Sequence, residues 1–276
     1  RPTSRVARRW SRKTTNGCAR LRRAGFPPRR KRRGFQPEIL MKLVDKYQEQ
    51  VNQFVDVCHQ LARTGYVTSH GGNLAWKLED DLILITPTKV YKGDVEAEDV
   101  VFIDLEGGIV EGTRRPTGER PMYLKFFAER PDVVSVIHCH SPAVSTMAIL
   151  KSENWLMRPI FPELIIEIGP VPLVPYAEPL TEQLAQNFVP FLQKHNAFVM
   201  ENHGLVIMTR GDIRWTMLLV EELEGVAQVI LAALQAGEIK ELSRQDVANL
   251  NNTMRERDLA LCGAPGVNAT LEDLYF

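Results

Sequence analysis

The sequence predicts an α/β fold on an antiparallel or mixed sheet, from three observations. About eight short apolar or β-branched runs have the length and composition of strands. Amphipathic stretches at helical spacing lie between them. Glycine turns join some neighbouring strands directly, as only antiparallel pairs allow. The 276 residues suit one large domain or two small ones, with ample length for a buried core.

The hydrophobic and charged fractions, 44% and 25%, are those of an ordinary soluble globular protein. No apolar run reaches 18 residues, so no membrane span is expected. The net charge of zero hides an asymmetry: residues 1–33 carry 14 of the 34 bases and no acid, which leaves 20 bases against 34 acids, a net −14. Such like-charge density cannot bury itself, so 1–37 is expected to be a basic disordered extension ahead of a folded domain, 38–276. Three readings are open for it: electrostatic binding of nucleic acid, an organelle transit segment, or an upstream extension without a role, with Met41 a plausible start. We take the last, and expect no nucleic-acid partner. Cys18, Cys58, Cys139 and Cys262 fit no zinc-ribbon or C-x-x-C spacing, and no secretory segment precedes them. Free thiols in a reducing cytoplasm follow.

Along the chain, Leu40 to Leu61 place apolar residues at helical spacing, giving one long helix from Pro37 to Thr64, ended by Gly65. His59 is read as a helix-surface residue. Ser69-His70-Gly71-Gly72-Asn73 reads as a turn into a strand; paired glycines also admit a ligand close to the backbone and can form an anion-binding nest. Strands follow at 82–86 and 100–104, the second turned by Gly107-Gly108 into a hairpin with Ile109-Val110. In 115–127, Thr117 or Gly118 can cap a helix starting near Glu119, a natural anion site at a positive helix end.

The run Val133 to His140, V-V-S-V-I-H-C-H, is a strand ending in two histidines. Alternation puts His138 and His140 on one face with Cys139 turned away. Two neutral imidazoles aimed at one point begin a transition-metal site; the alternative is a solvent-facing pair at a strand end. Ser141-Pro142 then opens a helix through Ala148. The segment 159–170 reads as irregular, with the carboxylates of Glu163 and Glu167 embedded in apolar surroundings. A strand at 171–175 and a helix from Thr181 to Gln193 come next. Residues 196–208 read as strand, turn, strand, with His203-Gly204 at the turn. A helix over 212–236 and another opened by the capping pair Ser243/Asp246 lead to a mobile tail carrying Tyr275 and Phe276. Three histidines and a carboxylate would supply four N/O ligands, a set suited to Zn²⁺, with Mn²⁺, Co²⁺ or Fe²⁺ as alternatives.

Five short motifs, G-G-N (71–73), I-T-P-T (85–88), P-T-G-E (116–119), H-C-H (138–140) and N-H-G (202–204), occur in an order and spacing that resemble the class II aldolase/adducin family from about residue 45 to 240. The resemblance implies a three-layer α/β/α fold with a mainly antiparallel central sheet, commonly a homotetramer with sites between subunits. It assigns His138, His140 and His203 as metal ligands, and Glu119 as a further ligand and catalytic acid/base. It sets Gly72, Asn73, Thr88 and Thr117 around a substrate phosphate. Where the family commonly has a hydroxyl residue, a glycine and a serine, this chain has His70, Lys89 and Gly118. His70 and Lys89 could restore positive charge to the same pocket, so the anion is a phosphate held differently or a carboxylate. Glu163, near the position of a tyrosine that protonates a leaving aldehyde, and Tyr275 complete the candidates. The activity implied is reversible aldol cleavage of a phosphorylated ketose. Decarboxylation, dehydration or epimerisation of a sugar acid or sugar phosphate is the alternative, and a non-catalytic adducin-like scaffold, which would have eroded ligands, is the second.

Overall fold

The computed structural model describes residues 42–276, so the basic stretch 1–37 lies outside the described residues. The strands are β1 (Asn73–Glu79), β2 (Leu82–Ile85), β3 (Val101–Ile103), β4 (Ile109–Glu111), β5 (Ser135–Cys139), β6 (Leu173–Val174), β7 (Ala197–Met200) and β8 (Gly204–Thr209). They form one sheet in the order β4-β3-β2-β1-β5-β8-β7-β6. Every neighbouring pair is antiparallel except β6–β7. The sheet is therefore mixed, with its first and second halves meeting where β1 pairs with β5.

Period-two alternation divides the side chains between two cores. Leu74, Leu84, Phe102, Ile137, Cys139, Leu205 and Ile207 face one side. There they pack on α2 (Gln48–Arg63), α4 (Pro142–Ile149) and α7 (Ile213–Ala236). Ala75, Ile83, Val136, Phe198, Val206 and Met208 face the other, against α3 (Arg120–Glu129) and α6 (Glu182–Leu192). Phe126 of α3 meets Phe188 of α6 edge-on at 4.9 Å between ring centroids, a favoured aromatic geometry. Helix, sheet and helix thus stack as the three-layer α/β/α architecture.

Several local expectations are corrected. Of the long first helix, 37–41 lie outside the described residues, and the rest breaks at Tyr47 into α1 (Leu43–Lys46) and α2, with α1 and Tyr47 tied to the sheet. The Glu111 carboxylate of β4 accepts from Leu43 N at 3.0 Å and Val44 N at 3.3 Å, and the Tyr47 hydroxyl bonds to Glu79 of β1. Pro162 starts a short helix, α5 (Pro162–Glu167), where irregular chain was expected. Glu163 and Glu167 sit on its exposed side and are not embedded in apolar surroundings. The C-terminal tail is docked: after α8 (Arg244–Glu256), the Asn251 side chain accepts from Leu271 N at 2.9 Å and donates to Glu272 at 2.9 Å, which anchors α9 (Glu272–Tyr275). Buried Arg130 holds the preceding loop through Gly263 O at 2.9 Å, and Arg210 holds the same oxygen at 2.6 Å.

Candidate metal centre

β5 lies between β1 and β8, with His138 opposite Asn73 on one side and Val206 on the other. Central strands are buried on both faces, so His138 is only 1% exposed. Its Nδ1 lies 2.9 Å from the Leu205 carbonyl. A carbonyl can only accept, so Nδ1 carries the proton and Nε2 keeps its lone pair for a ligand. His140 Nε2 lies 3.1 Å from His138 Nε2.

His203 arrives from the β7–β8 turn. Asn202 takes a left-handed conformation there (φ 56°), which asparagine tolerates. Gly204 is required by close approach: a Cβ would stand 2.5 Å from Cys139 O and 2.7 Å from the His140 ring. The three imidazoles gather with ring centroids 4.8, 4.8 and 5.2 Å apart, each offering one nitrogen within 4.8 Å of the others. His203 Nδ1 is buried without a hydrogen-bond partner.

Glu119 supplies the carboxylate. The expectation that Thr117 or Gly118 caps α3 is corrected: Glu119 is the capping residue, yet its side chain makes no cap hydrogen bond. It turns inward, with Oε2 3.5 Å from His138 Nε2 and Oε1 3.7 Å from His203 Nε2. Asn73 Nδ2 donates to Oε2 at 2.7 Å, and the Tyr123 hydroxyl sits 2.6 Å from both Asn73 O and Asn73 Oδ1. Tetrahedral donors about 2.0–2.1 Å from Zn²⁺ stand roughly 3.3–3.4 Å apart. The histidine nitrogens lie 3.1 to 4.8 Å apart, and the two Glu119 oxygens lie 3.5 and 3.7 Å from His138 and His203, near that spacing; three nitrogens with a carboxylate suit a borderline divalent cation. The residues present therefore fit the ion.

Electrostatics agree. Burial pushes His138 down to about 3, with the neighbouring His203 adding to it. Burial, then His138 and His203, does the same for His140, also to about 3. Burial lowers His203, and the Glu119 charge opposes it. All three imidazoles are neutral near pH 7, as ligation requires. Burial, reinforced by the Glu119 charge, raises Tyr123 well above the usual phenol range, so it stays a donor.

The strand end is held from behind. His140 N donates to Tyr66 O at 2.8 Å. Fully buried Glu224 of α7 accepts from Ala143 N at 2.9 Å and Val144 N at 3.1 Å, capping α4 just after the histidines. An acid at a helix start is favoured by both hydrogen bonding and the helix dipole.

A cavity of about 250 Å³ opens onto this cluster. His70, Gly72, Asn73, Thr88, Lys89, Thr117, Gly118, Glu119, His138, His140 and His203 all line it. The I-T-P-T and P-T-G-E segments are joined there: Thr117 N donates to Thr86 O and Thr88 N to Arg115 O, each at 2.9 Å. Gly72 is needed less by a ligand than by the strand beneath it, since a Cβ would meet Val67 at 2.5 Å and His138 O at 2.9 Å.

Two candidates fall outside. Glu163 is exposed on α5 and does not line the cavity. Tyr275 sits beside Cys262, whose loop is tied to Arg130 ahead of β5, at the opposite end of that strand from His140. His59 is structural, its Nε2 donating to Val95 O at 2.9 Å. Sequence reasoning missed Lys92, Tyr123 and Glu224. Only Tyr123 carried a signal, standing four residues after Glu119 on the same helix face.

The chain matches the Class II Aldolase and Adducin N-terminal domain family over residues 52–231. It is 30% identical to a 3-oxo-tetronate 4-phosphate decarboxylase of Pectobacterium atrosepticum, over 68% of this chain and 85% of that one. It is 31% identical to a 5-deoxy-D-ribulose 1-phosphate aldolase of Bacillus thuringiensis, over 74% and 94%. The solved structure of YgbL from Klebsiella pneumoniae superposes with a TM-score of 0.69 at 29% identity, over 74% of this chain and 98% of that one. Sequence, fold and the gathering of the five motifs agree that the chain belongs to the class II aldolase and adducin family.

Proposed function

We propose that this chain is a metal-dependent lyase that cleaves a carbon–carbon bond beside a ketone in a phosphorylated sugar, by reversible aldol cleavage. One observation carries the reading: three neutral imidazoles and an inward-turned carboxylate converge at one end of a cavity. In the proposal His138, His140, His203 and Glu119 hold a divalent cation, Zn²⁺ first and Mn²⁺, Co²⁺ or Fe²⁺ as alternatives. Bound there, such an ion would supply Lewis acidity to the negative charge that develops on the substrate. Glu119 accepts the proton of the substrate hydroxyl while the bond breaks and an aldehyde departs, then returns a proton to the carbon left behind. Asn73 keeps one Glu119 oxygen occupied, and Tyr123 fixes Asn73. Gly72, Thr88, Thr117 and Gly118, with Lys89 and His70, receive the substrate's anionic group.

A decarboxylase of a sugar-acid phosphate is the second reading, favoured by the similarity to the Pectobacterium enzyme. Losing carbon dioxide from a β-keto acid leaves the same kind of electron-rich carbon beside an oxygen. The discriminating experiment incubates the zinc-loaded chain with phosphorylated ketoses and with 3-oxo acid phosphates. Release of dihydroxyacetone phosphate supports aldol cleavage, release of carbon dioxide supports the second reading, and neither product from either class contradicts both.

The proposal places the chemistry in 38–276, in the cytoplasm and in a homotetramer, and gives 1–37 no part in it. Exposed Ile149, Leu150, Tyr176 and Leu180 leave apolar surface that neighbouring copies would cover. Among the described residues no helix is long and apolar enough to cross a membrane.

A further inference from the structure

Lys92 is a lysine with almost no water around it. It is 1% exposed, and its ammonium, which has three donors, gives one of them to Val90 O at 3.1 Å. Buried charges are normally paired, because desolvating an ammonium costs several kcal/mol. Among the described residues no carboxylate pairs with it. Lys92 nevertheless lines the cavity that holds the histidines and Glu119. It reaches that cavity from the layer packed on α2, whereas Glu119 and Tyr123 belong to α3 on the other face of the sheet. Glu119 and Lys92 thus line one cavity from opposite layers of the fold.

Resting on the lyase reading above, we infer that the Lys92 ammonium is a substrate contact that receives the enediolate oxygens exposed when the carbon–carbon bond breaks. A preorganised donor aimed at charge that appears during reaction, in a site that excludes water, favours the transition state over the bound substrate. Burial lowers the Lys92 pKa and the Glu119 charge opposes that; its own charge adds only slightly, behind burial and the neighbouring imidazoles, to the lowering of His138 and His140. Lys89, exposed at the cavity rim, is the separate positive group for a phosphate.

The test is calorimetric, on the zinc-loaded full chain, with two probes: glycolohydroxamate, whose adjacent oxygens copy an enediolate, and inorganic phosphate. Lys92→Met weakens hydroxamate binding by roughly tenfold to a hundredfold, the value of a charge-assisted hydrogen bond. Phosphate affinity stays within about twofold, and the unfolding midpoint does not fall, because the desolvation cost of the buried ammonium offsets its one hydrogen bond. Lys92→Gln, which keeps a donor for Val90 O, behaves likewise. Unchanged hydroxamate affinity, or an equal loss for both probes, overturns the assignment. So does unfolding of both variants, which would make the lysine a structural group. If the unmodified zinc-loaded chain binds no hydroxamate, the lyase reading itself fails.

Discussion

Asn73 donates its side-chain nitrogen to Glu119 Oε2 across 2.7 Å, joining the first strand of the sheet to the cap of α3. The partnership explains why a capping acid faces inward: its oxygens are directed at His138 and His203 instead of its own helix. The Tyr123 hydroxyl holds Asn73 in turn, so the carboxylate is aimed by a chain of two buried hydrogen bonds.

Asn73→Ala removes the aim without removing a metal ligand. The expected result is a fall in kcat of roughly tenfold to a hundredfold with zinc content retained, the usual scale for groups that orient ligands. Glu119→Gln, which removes the acid/base and weakens a proposed ligand at once, should cost more, about 10²–10⁴-fold, with lower zinc content. Steady-state kinetics beside metal analysis separate the two, and equal losses would argue against an orienting role for Asn73.

Glu224→Ala leaves Ala143 N and Val144 N at the start of α4 without their acceptor. The expected loss is about 2–3 kcal/mol of unfolding free energy, since the acceptor is charged and buried. Urea denaturation of the metal-free variant measures it. A loss confined to activity would show that the cap does not hold the fold.

Acid should destabilise the metal-free chain well above the carboxylate range. His138 and His140 are held at about 3 against an unperturbed 6.5. Below 6.5 the unfolded imidazoles take up protons that the buried ones refuse, so stability is fully present above 6.5 and falls as pH drops toward 3. Asp132 adds a later step. Burial pushes its carboxyl up, but the hydrogen bonds and charges of Arg130 and Arg210 outweigh that and hold it at about 2. Its contribution is present above an unfolded value of about 3.9 and lost between there and about 2. Denaturation midpoints taken every half pH unit would reveal both. A midpoint flat from pH 7 to 5 would contradict buried neutral histidines.

Much of this was legible in the chain because it depends on local periodicity. The alternation that puts His138 and His140 on one face is a property of any strand, and turn chemistry marked Gly107 and His203-Gly204 as reversals. What brings His203 to β5 is the β5–β8 pairing, which no window of sequence contains; chain order within a known family supplied it. Lys92 was invisible because a lysine between Val90 and Val95 reads as a surface residue until the packing against α2 is seen. The docking of the tail that carries Tyr275 was hidden for the opposite reason. A short terminal segment reads as mobile, and the contacts that dock it, Asn251 to Leu271 and Arg130 to Gly263, span 20 and 133 residues.

The centre itself is tested most directly by equilibrium zinc binding to the metal-free chain, unmodified and as His203→Ala. One equivalent of tight zinc for the unmodified chain is expected, and a loss of at least about 100-fold in affinity for the variant, since a four-ligand site becomes a three-ligand one. Equal zinc affinity in the two proteins would mean that the third imidazole is no ligand, and the centre described above would not exist.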